Sequence, residues 1–297
     1  MREELKPPII LFGNFRSGTT MLQKIIASHP SVVPLYEPVG IWLYADPGRD
    51  HDEFDDRDAT ERVRRYVRRR FLKYQRQNGN KIIVEKTPAN ILRIPYVRAI
   101  FPEACFIYIV RNPLSFVSSV ELKWQRPVAT RRIKMRLKTT PITQLHHYVG
   151  RLLKQQWNSR VLKRKYLPIW GARYRGIQQD LKEADLLTVI ARQWARAAAK
   201  AERDLAQFEP GQLLRLRYED LVDDPLSGLQ RICAHCGLEM TTDLARQVQD
   251  MVKTDRKKKW QRFEPGELAR IIPELTSEMR RVGYSVPTEF TGAREVA

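Results

Sequence analysis

Three short runs of consecutive apolar residues punctuate the first 110 residues of the chain: Pro8-Ile9-Ile10-Leu11-Phe12-Gly13, Lys81-Ile82-Ile83-Val84-Glu85 and Cys105-Phe106-Ile107-Tyr108-Ile109-Val110. Continuous rather than alternating apolar character marks strands covered on both faces, as in a parallel sheet. Ser31 to Tyr36 reads as a short extended segment, and Leu213-Leu214-Arg215-Leu216-Arg217 as a later strand. Between these runs the apolar period lengthens to that of a helix. Helices are predicted at Thr19 to Ser28 (stopped by His29-Pro30), Arg62 to Arg76, Asn90 to Phe101, Pro113 to Trp124 and Ala184 to Gln207. After the last strand come Pro225 to Cys236, Thr242 to Val252 and Pro265 to Val282. Strands alternating with helices predict βαβ units: an α/β fold, with a parallel β-sheet flanked by helices.

Composition and charge add a partner to this picture. The 297 residues are enough for a single domain, residues 1–297, carrying an insertion. A hydrophobic share of 42% and a charged share of 29% exclude a disordered or collagenous chain. The 53 Lys and Arg against 34 Asp and Glu leave a net charge of +19, which calls for an anionic partner: nucleic acid, a membrane surface, or a phosphorylated or sulfated small molecule. The charge is unevenly placed. Ala45 to Glu61 holds eight acids and reads as a solvated loop; Arg62 to Arg76 holds eight bases and no acid. From Glu121 to Asp180 there is no intervening carboxylate, yet fifteen Lys and Arg occur between Lys123 and Arg175. That segment is expected to be a basic helical insertion at about 125–183. Leu145, Tyr148, Val149, Leu152, Leu153 and Trp157 fall on one side of a helix there, a pattern suited to peripheral membrane contact.

No apolar run is long enough to span a bilayer, and MREELKPPII has no signal-peptide core, so a cytoplasmic, at most membrane-associated, protein is expected. Cys105, Cys233 and Cys236 cannot make a disulfide framework. Cys233-Ala-His-Cys236 lies inside an apolar-periodic helix and reads as part of a packed face rather than a redox or zinc motif.

Candidate chemistry sits at strand ends, where parallel sheets bind ligands. Gly13-Asn14-Phe15-Arg16-Ser17-Gly18-Thr19-Thr20 has the strand, glycine spacing and helix start of a phosphate-binding loop. Backbone N–H groups of Ser17 to Thr20 would cradle an anion, favoured by the helix dipole. The lysine of a nucleoside triphosphatase is missing, with Thr19 in its place and Arg16 as the loop's one cation. That argues against ATP or GTP hydrolysis and suits a ligand with less charge to neutralise. A second motif, Arg111-Asn112-Pro113-Leu114-Ser115-Phe116-Val117-Ser118-Ser119, follows the third apolar run. Pro113 suits a first helical turn, so Arg111 lies in the strand-to-helix turn, with Ser119 and then Lys123 further along the helix.

Together these motifs resemble the sulfotransferases that use 3′-phosphoadenosine 5′-phosphosulfate (PAPS), a family with a P-loop-like fold. Arg16-Ser17-Gly18-Thr19-Thr20 is similar to the family's 5′-phosphosulfate loop, and Arg111 with Ser119 to its 3′-phosphate site. Glu85-Lys86-Thr87-Pro88, Arg217-Tyr218-Glu219-Asp220-Leu221 and the basic run ending Lys258-Lys259-Trp260 agree in order. The resemblance covers roughly 7–125 and 184–284. It implies PAPS as donor without a metal, with Arg16, Ser17, Gly18, Thr19, Thr20, Arg111, Ser119, Lys123, Tyr218, Lys258, Lys259 and Trp260 holding the nucleotide. It also implies sulfonate transfer to a hydroxyl. Glu37, in Tyr36-Glu37-Pro38, lies twenty-one residues after Arg16, where tyrosylprotein and related Golgi-type members carry a glutamate base. Glu37 is the candidate base, and Arg16 and Lys86 would stabilise the transferring group. The excess charge favours an anionic acceptor: a carbohydrate, glycolipid or peptide. A basic nucleic-acid- or membrane-binding protein and a P-loop kinase are the alternatives, though the ordered strand-end motifs need no nucleic acid.

Overall fold

The structure, a computed structural model, describes residues 4–124, 171–252 and 259–287. Five parallel strands form one sheet in the order β2-β3-β1-β4-β5: β1 Ile9–Phe12, β2 Val32–Tyr36, β3 Ile82–Lys86, β4 Cys105–Val110 and β5 Leu213–Arg217. In the first half α1 Thr19–Ala27, α2 Val39–Trp42, α3 Glu61–Gln77, α4 Ile94–Ile100 and α5 Pro113–Trp124 connect them. The second half supplies α6 Ile177–Glu183, α7 Leu186–Leu205, α8 Tyr218–Asp223, α9 Pro225–Cys236, α10 Thr242–Met251 and α11 Pro265–Arg281.

The central strand explains why the apolar run had no alternation. Ile10 and Phe12 of β1 face one apolar cluster, with Trp42, Phe71, Tyr96 and Phe101; Ile9 and Leu11 face another, with Leu22, Ile25 and Ile232. All four β1 side chains are essentially inaccessible, and burying each contributes roughly 1.5–3 kcal/mol. A third cluster, Phe116, Val117, Trp194, Ile271 and Leu275, joins α5, α7 and α11. Because the chain leaves β1 toward β2 and β3 on one side, and later places β4 and β5 on the other, the sheet has a topological switch at β1. The crevice at its carboxyl edge is where such folds bind ligands.

Two sequence expectations are corrected by packing. The helix expected from Asn90 to Phe101 is two elements, a 3-10 turn at Pro88–Leu92 and α4, because Arg93 sits at φ −144° and Pro95 starts the second afresh. The acidic stretch is not simply a solvated loop. Asp52 is buried and takes a forked pair of hydrogen bonds from the Arg173 guanidinium (2.8 and 3.2 Å) and one from the Arg173 backbone N–H (2.8 Å). Burial raises the pKa of Asp52, but the Arg173 charge and its hydrogen bonds outweigh that, and the net direction is downward. Glu53 accepts from the Arg175 N–H, Arg49 pairs with Asp58, and Phe54 lies in the core. Acids 121 residues away thus anchor the chain where it re-enters the fold.

Of the span expected as a basic insertion, residues 125–170, including the membrane-contact helix read around Leu145 to Trp157, lie outside the described residues. Ala172, Tyr174 and Ile177 pack into the main core. Cys233 is buried on the inner face of α9, as expected, while Cys236 forms a disulfide with Cys105 at the amino end of β4, their Cα atoms 5.7 Å apart. Among the described residues no helix is long and apolar enough to cross a membrane.

Candidate active site

The loop after β1 is shaped by two glycines. A Cβ on Gly13 would meet the Ile109 carbonyl at 2.7 Å, so β1 and β4 could not lie this close with a larger residue. Gly18 caps α1 at φ +89°, and a Cβ there would sit 2.3 Å from Cδ2 of the Tyr218 ring. Tyr218 is therefore pressed flat under the loop, which brings the β5–α8 motif to the β1–α1 motif. Among the described residues no side chain caps α1, and the buried Ser17 hydroxyl has no hydrogen-bond partner. Thr19 is buried and Thr20 exposed.

Arg16, at φ +67°, carries its side chain across to the second motif, where its Nε donates to the Ser119 hydroxyl at 2.9 Å. Arg111 returns the connection: its Nη1 donates to the Arg16 carbonyl at 2.9 Å, and its guanidinium lies 4.3 Å from the centre of the Tyr218 ring. The turn bearing Arg111 is fixed by Asn112, whose side chain accepts from the N–H groups of Leu114 and Ser115 and whose own N–H donates to Glu219. Arg16, Ser17, Gly18, Thr19, Thr20, Arg111, Ser119 and Tyr218 thus gather at one edge of the sheet.

Glu37 and Lys86 meet at the neighbouring strand ends. Lys86 closes β3, level with Leu11 of β1 on one side and Tyr36 of β2 on the other. Its Nζ donates to Glu37 Oε1 at 2.7 Å, with the lysine almost wholly buried and the carboxylate about 29% exposed. Glu37 itself is held at φ +40°, an uncommon conformation for a non-glycine residue, by the Val39 N–H donating to its carbonyl at 2.7 Å. The pair is a buried cation presenting a half-open carboxylate.

Other expected residues fall elsewhere or outside view. Lys123 lies on α5 and Lys259 begins the 3-10 turn Lys259–Arg262, but their side chains, and Lys258 entirely, are outside the described residues. Trp260 is half-buried against the third apolar cluster. Sequence reasoning missed three supporting residues. Arg262 donates to the Ser118 hydroxyl (2.9 Å) and carbonyl and pairs with Glu121, clamping the 3-10 turn to α5. Glu219 accepts from Asn112 and from the Tyr284 hydroxyl (2.6 Å), an interaction that holds the Tyr284 phenol protonated far above its usual range, after burial itself. Glu85 is fully buried; its signal was a carboxylate on a strand that the apolar pattern places inside.

Comparison with known proteins gives the family and the fold. A model described as the Sulfotransferase family matches residues 7–171 and 170–243. Nodulation protein NoeE of Sinorhizobium fredii is 28% identical over 152 residues, 44% of this chain and 36% of that protein, so the match spans little more than a third of the curated relative's length. Among solved structures, the sulfotransferase domain from the curacin biosynthetic pathway superposes with a TM-score of 0.59 at 14% identity, covering 96% of this chain and all of that one. Sulfotransferase STF9 from Mycobacterium avium gives 0.54 at 12% identity, over 96% and 79% of the two chains. At these identities the structural likeness speaks for the fold.

Proposed function

The chain belongs to the sulfotransferase family, and from that premise we propose that it moves a sulfonate group from 3′-phosphoadenosine 5′-phosphosulfate to a hydroxyl on an acceptor, with Glu37 as general base. The observation that carries this reading is the Glu37–Lys86 pair, 2.7 Å apart, at the carboxyl ends of β2 and β3 on one side of the β1 strand that leads into the loop of Arg16 to Thr20. Donor and transfer residues open on the same crevice.

The donor fits the residues present. The Ser17 hydroxyl, without a partner among the described residues, and the uncapped start of α1 behind Gly18 would form a cradle for the 5′-phosphosulfate. Arg111 and Ser119 would hold the 3′-phosphate, and the Tyr218 ring lies beneath both. Lys123, Lys258, Lys259 and Trp260 are proposed to complete the nucleotide site. Sulfonate carries one negative charge, less than a terminal phosphate, so Arg16 and Lys86 meet the charge that develops on the transferring group and leaving oxygen, and a metal is not required. Glu37 takes the proton of the acceptor hydroxyl as its oxygen attacks sulfur, while the sulfur–oxygen bond to the 5′-phosphate breaks; Lys86 steadies the carboxylate beforehand. The acceptor is proposed to be a carbohydrate, glycolipid or peptide bearing negative charge, since the four cations Arg16, Lys86, Arg111 and Lys123 leave most of the +19 unassigned.

Melting curves test the donor assignment. Adenosine 3′,5′-bisphosphate should raise Tm markedly, by the equivalent of about 2.7 kcal/mol at a hundredfold excess over Kd, and ATP with magnesium should do little. Equal stabilisation by the two would overturn the 3′-phosphate site.

A further inference from the structure

Glu85 opens the Glu85-Lys86-Thr87-Pro88 stretch but has been given no role so far, yet it is among the most enclosed polar groups of the described residues. Its side chain turns to the opposite face of β3 from that of Lys86, as alternation along a strand requires. There its carboxylate meets three donors from three places. Oε1 accepts from the Trp42 indole N–H at 3.1 Å and the Thr87 hydroxyl at 2.5 Å; Oε2 accepts from the Asn90 amide at 3.0 Å.

Each donor belongs to a segment that carries or follows a transfer residue. Trp42 closes α2, the four-residue helix entered directly from Glu37-Pro38. Thr87 follows Lys86, and Asn90 lies in the 3-10 turn Pro88–Leu92. Trp42 is wholly buried among Phe71, Tyr96 and Phe101, so α2 cannot shift without disturbing the core. We propose that Glu85 is a positioning residue for sulfonate transfer, a buried carboxylate that ties the turn holding Glu37 to the turn holding Lys86 and so sets their 2.7 Å contact. This rests on the reading of Glu37 and Lys86 as the transfer pair.

A carboxylate suits this position because all three neighbours are donors. Glutamine would have the same length, but its amide NH2 would face at least one of them, and that connection could be kept only by turning the Asn90 amide or the Thr87 hydroxyl round to accept. The strain at Glu37 gives the brace something to hold: a left-handed φ at a non-glycine residue persists only where surrounding contacts enforce it. Burial raises the Glu85 pKa from 4.5 to about 7, opposed by the hydrogen bonds from Thr87 and Trp42 and by the charges of Lys86 and Arg93. The charged groups that act on it are Arg93 at the start of α4 and, from the other face of β3, Lys86. Beyond Arg93 lie Asp52 and Tyr96.

Glu85→Gln tests the brace. Labelled PAPS provides the probe, with turnover read as transfer to an acceptor found by screening or, failing one, to water. Glu85→Gln should lower turnover at least tenfold while the Kd for adenosine 3′,5′-bisphosphate stays within twofold. In the wild type the Glu85 pKa is higher folded than unfolded, so its contribution to stability is full below about 4.5 and is lost as pH rises through about 7. The Tm advantage of the wild type over Glu85→Gln should therefore shrink between pH 5 and pH 8. Turnover within twofold of wild type overturns the proposal, as does an equal loss of turnover and nucleotide affinity, which would mark general distortion. If Glu85→Gln fails to fold, Trp42→Phe removes one donor alone and should give a smaller loss with the same split. An active Glu37→Ala would instead remove the premise, whatever Glu85 does.

Discussion

The two halves of the crevice are built in opposite ways. On the proposed donor half, polar groups remain for a ligand to satisfy: among the described residues the Ser17 hydroxyl has no hydrogen-bond partner and α1 has no side-chain cap. On the transfer half, the polar groups are already engaged, Lys86 with Glu37 and Glu85 with Trp42, Thr87 and Asn90. Binding a nucleotide requires donors held within reach, and the donor half steadies its two arginines through the loop itself, Arg16 on Ser119 and Arg111 on the Arg16 carbonyl. Transfer requires a base and a cation in fixed relation, and a buried, hydrogen-bonded lysine resists reorientation better than a solvated one. Binding and chemistry should therefore be separable by substitution, and the sharpest tests are those that strike one half only.

The largest effect is expected at Glu37. Glu37→Ala removes the proposed base and leaves Lys86 buried without its carboxylate. Turnover of labelled PAPS should fall by about 10³-fold, within the range removal of a general base produces. Affinity for adenosine 3′,5′-bisphosphate, measured by calorimetry, should stay within twofold, because the Glu37 carboxylate pairs with Lys86 of the transfer half. An active variant would take Glu37 out of the mechanism; a lost nucleotide site would show the halves to be coupled.

The same contrast explains what could be read from the sequence. The donor loop is contiguous: Arg16 to Thr20 form one turn whose glycine spacing and following helix state its geometry locally. The strands were legible for the same reason, and Cys105–Val110 and Leu213–Arg217 have the bounds their apolar runs predict. The supporting interactions were not legible, because their partners are brought together by the fold. Glu85 bonds Trp42 across 43 positions, and Asp52 bonds Arg173 across 121. An acid-rich stretch looks solvated until the fold delivers a distant arginine to it. Arg262 was likewise hidden, since nothing in the run before it signals contact with Ser118, 144 positions earlier.

On the donor half, Gly18→Ala should give the next largest effect. The added methyl would fall 2.3 Å from Tyr218 in a left-handed backbone conformation, so the loop, the ring or both must move. Positive φ at a non-glycine residue costs about 1–3 kcal/mol where the surroundings enforce it. The nucleotide Kd should rise about 10- to 100-fold by calorimetry. With donor saturating, the rate of transfer should recover to within a few-fold of wild type, since the Glu37–Lys86 pair is untouched. A variant that binds nucleotide normally would mean that Tyr218 does not close the cradle, and a low rate at saturating donor would mean that the loop also orients the sulfonate.

The smallest effect separates two roles for one hydroxyl. Ser119 accepts from Arg16 at 2.9 Å, yet it is also proposed to meet the 3′-phosphate. A single hydrogen bond contributes about 0.5–1.5 kcal/mol net, so Ser119→Ala should weaken adenosine 3′,5′-bisphosphate about 2- to 13-fold. The informative quantity is the comparison with adenosine 5′-phosphate, which lacks the 3′-phosphate. If Ser119 touches that phosphate, the preference of the wild type for the bisphosphate narrows in the variant while affinity for the monophosphate barely changes. If Ser119 only parks the Arg16 side chain, both nucleotides shift together, because Arg16 serves the 5′ end that they share. Proportional loss would make Ser119 part of the loop's own framework and leave Arg111 as the main reader of the 3′-phosphate.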